Sequence, residues 1–185
     1  LNLESLEDAF RPPLYPIILK FINFLPFNLL IMGKFLNFFL LTSMPFVLFK
    51  ISQKINSQFY KKTFFLNINL LLFFFPNFYF VDLVYAEVLT IFFLNIYICQ
   101  LIRVCHNYKY VNLKSTIIIS TIFLILFYLK ANMLLVSLTF LIILFSKVRN
   151  KILFFFRLCF ISGIMLLPWF YYTFNLTGEI KATTS

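Results

Sequence analysis

Long apolar runs, separated by short basic or proline-bearing breaks, constrain this chain more than any motif in it. The runs fall at 28–49, 63–80, 85–102, 115–130, 132–146 and 151–172, and each carries few ionisable side chains. A helix needs roughly 20 apolar residues to cross a hydrocarbon core of about 30 Å, and these runs approach or exceed that length. Every backbone N–H and C=O in such a run must bond within its own segment, which leaves the helix as the spanning form. A hydrophobic content of 62% excludes an ordinary water-soluble domain. The sequence therefore predicts an all-α integral membrane protein of about six transmembrane helices, organised as one transmembrane domain over 1–185. Residues 1–27 read as an outer loop and interfacial helix, 28–172 as the six spans, and 173–185 as the start of an outer loop.

The interfacial helix rests on its length. Arg11-Pro-Pro-Leu-Tyr-Pro16 opens an apolar segment that Pro26 closes. Proline suits the first turn of a helix, where its missing N–H has no partner to lose. About a dozen residues fall short of the roughly 20 that a span requires. Such a helix lies along the membrane surface, with Lys20 on its wet side.

Charge placement tests the span count. The net charge of +10 would suggest nucleic acid in a soluble protein, but here the bases sit in short loops and set orientation, so no nucleic-acid partner is expected. Lys50, Lys54, Lys61 and Lys62 fall in one loop, Arg103, Lys109 and Lys114 in another, and Lys147, Arg149 and Lys151 in a third. Six spans put all three loops on the cytoplasmic side and both ends outside the cell membrane. All six acidic residues, Glu4, Glu7, Asp8, Asp82, Glu87 and Glu179, then lie on the outer side. Acids contribute little to orientation, so their gathering there points to an acidic rim around an outer cavity.

Glu87 is the sharpest candidate for chemistry. It opens the run at 85–102 after the break Pro76–Glu87, which also holds Asp82 and Tyr85. A carboxylate at the mouth of a membrane helix is costly unless it faces water or a partner, which marks a functional position; the plainer reading is a helix-end carboxylate at the interface. Lys34 and Lys130 lie near the outer ends of their runs. They either snorkel outward or line a cavity and meet an anionic group such as a lipid phosphate. Arg157 snorkels to the inner surface. Cys99, Cys105 and Cys159 lack metal-ligand spacing and read as small apolar fillers, and His106 as a solvated loop residue.

Three stretches, in order, resemble bacterial glycosyltransferase family 39, which is related to protein O-mannosyltransferases and to the aminoarabinose transferase that modifies lipid A. Ala9-Phe-Arg-Pro-Pro-Leu-Tyr-Pro16 is similar to an Arg-Pro-Pro-x-Tyr-Pro segment that follows the family's first outer loop. Phe75-Pro76 followed by Tyr85-Ala-Glu87 is similar to its Tyr-Pro…Glu segment. Leu167-Pro-Trp169 with Gly178 is similar to its Pro-Trp…Gly exit into a large outer loop. Leu129-Lys-Ala-Asn132 stands where the family often has Leu-x-Arg-Pro. The chain departs from the pattern in holding Tyr172-Thr173 where the family has Arg-Asn, and Lys130 where it has Arg.

The resemblance implies part of a GT-C class fold that moves a sugar from a polyprenyl-phosphate donor to a glycan, lipid or protein acceptor on the extracytoplasmic face. It implies that Glu87 is a second acidic residue which orients the acceptor or, in some relatives, a divalent metal. The main catalytic aspartate is expected upstream of Leu1, so these 185 residues read as a piece of the enzyme that is inactive alone. Arg11, Tyr15, Lys34, Asp82, Tyr85 and Lys130 are the implied substrate-binding residues, with the cations for the lipid phosphate. No other cofactor is expected. A competing class is a non-enzymatic subunit of a larger membrane complex, whose aromatic helices simply pack. A small transporter ranks below both, because no inverted repeat or broken-helix pair is visible.

Overall fold

The computed structural model describes residues 14–22, 24, 26, 28–55, 86–107 and 111–177. They form six helices: α1 (Leu14–Ile22), α2 (Leu29–Ile55), α3 (Glu87–Asn107), α4 (Leu113–Leu129), α5 (Met133–Lys147) and α6 (Lys151–Thr177). No strand occurs among the described residues. The expected span at 63–80 lies outside them.

Local chemistry explains where these helices start and stop. Asn28 opens α2 by accepting the Leu30 amide on Oδ1 at 2.9 Å, and Asn112 opens α4 by accepting the Ser115 amide at 2.8 Å. Asparagine is a favoured residue at this position because its oxygen replaces a missing intrahelical acceptor. α4 and α5 are joined only by Lys130-Ala-Asn132. Lys130 turns out of the helix in an extended conformation, and its carbonyl accepts the Met133 amide at 2.9 Å. Pro45 sits inside α2, and the hydroxyls of Thr42 and Ser43 bond to carbonyls of the turn before it. Such hydroxyl bonds help a membrane helix carry a proline.

α4 is the centre of the bundle. It packs against α1, α3, α5 and α6, while α3 also packs against α2 and α5. Its buried residues, including Ile119, Ile122, Phe123, Leu124, Leu126, Phe127 and Leu129, cover more than half of its circumference, as a helix packed against several others requires. The main core adds Tyr97 of α3, Leu141 and Leu144 of α5, and Phe154 and Leu158 of α6. A second core joins α1, α2, the start of α3 and the end of α4 through Tyr15, Leu40, Met44, Val88, Leu89 and Leu129.

The outer helices show the reverse. Phe35, Phe39 and Phe46 of α2, and Ile152, Phe156, Phe160 and Tyr171 of α6, are all exposed. Only 22% of the apolar stretch of α6 is buried within the protein. Apolar surface this extensive would associate or aggregate in water, and a lipid bilayer is the solvent that suits it.

Three of the described helices are long and apolar enough to cross a membrane: α2 over Leu29–Ile51, α3 over Glu87–Cys105 and α6 over Lys151–Tyr172. The expected runs at 115–130 and 132–146 do form helices, but α4 has 17 residues and α5 has 15. At a rise of 1.5 Å per residue these reach about 26 and 23 Å, below the roughly 30 Å of a hydrocarbon core. The close spacing of Lys114, Lys130 and Lys147 limits both apolar runs. The expectation of six full-length spans is therefore not met among the described residues. α1, with 9 residues or about 14 Å, is too short to cross, as expected. Residues 173–177, expected to begin an outer loop, instead continue α6.

Candidate functional site

The second core carries a polar cap. Glu87 is the first residue of α3 and Lys130 is the residue that ends α4. α3 and α4 are antiparallel neighbours, so these two ends meet. Lys130 Nζ donates to Glu87 Oε1 at 3.2 Å, with the side chains 42% and 38% exposed. Glu87 is the one carboxylate among the described residues. The sequence placed these two residues on one side of the membrane but had no means of pairing them.

Tyr15 comes to the same place from α1. Its ring is buried against α2, α3 and α4, with 7% exposure. Burial holds its phenol above the usual range; the nearby Asn37 side chain works against this, and the Glu87 charge adds to it. Tyr15 thus lies near Asn37 of α2 and within reach of the Glu87 charge of α3. Asn37 is fully buried in the middle of an apolar helix. Sequence reading passed over Asn37, because a single asparagine in an apolar run has no spacing pattern to betray it. The only signal was the polarity itself, which is expensive in such a run unless bonded.

Of the other expected site residues, Lys34 lies half-buried on α2, one turn before Asn37. Arg11, Asp82 and Tyr85 lie outside the described residues. Thus Tyr15, Glu87 and Lys130 are brought together, with Asn37 behind them and Lys34 a turn away.

Among the described residues no three His, Cys, Asp or Glu side chains gather, and the single carboxylate is already held by an ammonium. What the cap can do is present a carboxylate and a cation, half in water, at the mouth of an apolar bundle. The carboxylate can accept a hydroxyl proton or hydrogen bond, and the cation can meet an anionic oxygen.

A helical bundle with lipid-facing outer helices and a charged cap at one end defines a helical membrane protein. The chain matches no family model, no curated protein and no solved structure.

Proposed function

We propose that the chain belongs to a membrane glycosyltransferase of the GT-C class, acting at the outer surface on a polyprenyl-phosphate sugar. In that reaction an acceptor hydroxyl attacks the anomeric carbon, the bond to the lipid phosphate breaks, and a carboxylate takes the hydroxyl proton. Glu87 serves as a second acid, with Oε1 fixed by Lys130 and Oε2 turned to the acceptor. Lys130, with Lys34 and Arg11 as further cations, meets the negative charge that builds on the leaving phosphate. Tyr15, Asp82 and Tyr85 complete the substrate-binding set. α4 and α5 count as spans in this reading, locally thinning the bilayer or tilting little to cross it. Both ends of the chain then face outward.

The observation that carries the proposal is the half-exposed Glu87–Lys130 pair beside a buried tyrosine at the mouth of a spanning helix. The test is transfer of radiolabelled sugar from a polyprenyl-phosphate donor by the full-length protein in proteoliposomes. Glu87→Gln should lower turnover by about a hundredfold, the lower end of what a positioned acid–base group supplies. Unchanged transfer would remove Glu87 from the site.

One observation favours a second reading. Glu87 stands at a helix N-terminus and Lys130 at a helix C-terminus, where each charge is favourable on its own. A pair placed so can simply close two antiparallel helix ends in a non-enzymatic membrane subunit. That reading expects Glu87→Gln to change stability and leave any transfer activity untouched.

A further inference from the structure

The opposite end of the bundle collects positive charge from four helices. Arg103 lies near the end of α3, Lys114 in the first turn of α4, Lys147 at the end of α5 and Lys151 at the start of α6. All four are exposed, as is Arg149 between α5 and α6. Two contacts hold these ends together. Asn150 accepts the Val111 amide on Oδ1 at 3.0 Å and donates from Nδ2 to the Val111 carbonyl at 3.1 Å. This clasp ties the segment before α4 to the segment before α6. α5 packs against α3, and both helices end on this side. No described carboxylate lies at this end, because Glu87 is at the other.

We propose that this basic end is a docking surface for anionic lipid headgroups of the bilayer. Two features favour lipid over a soluble anion. The charges mark the ends of apolar runs, which is the depth of the headgroups. Exposed apolar side chains also stand beside them: Leu113 precedes Lys114, and Ile152 and Leu153 follow Lys151. A headgroup phosphate on the lysines thus has its acyl chains against Ile152 and Leu153. The clasp fixes the spacing of the cations before any lipid arrives, which lowers the cost of ordering them. This surface is independent of the Glu87 site and of the transferase reading.

The test uses the full chain purified in a neutral detergent, titrated with phosphatidylglycerol, with phosphatidylcholine and with glycerol phosphate, and read by native mass spectrometry. Phosphatidylglycerol should be retained in preference to phosphatidylcholine, and raising the salt should weaken it. Each cation removed should cost roughly a factor of five, so Arg103→Gln, Lys114→Gln, Lys147→Gln and Lys151→Gln combined should abolish the preference. Lys20→Gln, an exposed charge on α1, should leave it intact. Equal retention of the two lipids, equal binding of glycerol phosphate, or a Lys20→Gln effect as large as the combined variant would overturn the proposal. Because charge removal can disturb insertion, the salt titration of the unaltered protein decides the matter if the combined variant fails to fold.

Discussion

The Glu87–Lys130 contact makes the most informative perturbation, because a double-mutant cycle separates its two possible contributions. A single contact at 3.2 Å between side chains that are 42% and 38% exposed belongs with partly solvated ion pairs, which are worth about 0.2–1 kcal/mol. Each charge also gains about 0.3–1 kcal/mol from its helix end. Glu87→Gln or Lys130→Met should therefore cost about 1 kcal/mol each. Helix-end terms add independently and cancel in the cycle, leaving a coupling of about 0.5–1 kcal/mol for the pair itself. The charge-swapped protein, Glu87→Lys with Lys130→Glu, restores the pair but reverses both helix-end terms. It should remain about 2 kcal/mol below the unaltered chain. Unfolding in mixed detergent micelles can be followed by the fluorescence of Trp169, the single tryptophan. A coupling below about 0.2 kcal/mol, or a swapped protein as stable as the original, would refute the geometry. Activity then discriminates function: the transferase reading expects the swapped protein to be stable enough to fold yet unable to transfer sugar.

Further expectations follow from the packing. Asn150→Leu removes both bonds to Val111, a residue 2% exposed, and should cost about 2–3 kcal/mol. Faster hydrogen exchange at the Val111 amide would report it, and unchanged exchange would show that the clasp is not formed. Phe154 is fully buried between helices whereas Phe156 is 66% exposed. Phe154→Ala should cost about 3 kcal/mol, and Phe156→Ala less than about 0.5 kcal/mol; equal losses in micelle unfolding would mean that α6 is rotated. Tyr15 gives a pH dependence of definite sign. In the folded chain its phenol is held above the usual 10.0, so past that pH the unfolded state releases a proton that the folded state keeps. This contribution is complete below pH 10 and is lost as pH rises further. The stability of the unaltered chain should fall relative to Tyr15→Phe across that range, and parallel curves would count against the buried placement.

The sequence by itself determined the solvent and the elements. Runs of apolar residues that long admit only helices in lipid, and their positions predicted α2 to α6 to within a few residues at most ends. Where the helices outrun the apolar stretches, as at 50–55 and 173–177, the helical backbone bonds simply continue beyond the apolar run. The shortness of α1 was legible for the same reason, as was the common sidedness of Glu87 and Lys130. Tertiary structure alone decided which faces are buried. Helices that are apolar on every side carry no periodic mark of their neighbours, so the central position of α4 could not be read from its composition. The same holds for pairings across long sequence separations. The link from Lys130 to Glu87, the meeting of Tyr15 with Asn37, and the clasp of Asn150 on Val111 each join residues far apart in the chain. Only the packing of α1, α2, α3 and α4 brings the first two together, because hydrophobic periodicity encodes a helix's environment but not the identity or register of the helix beside it.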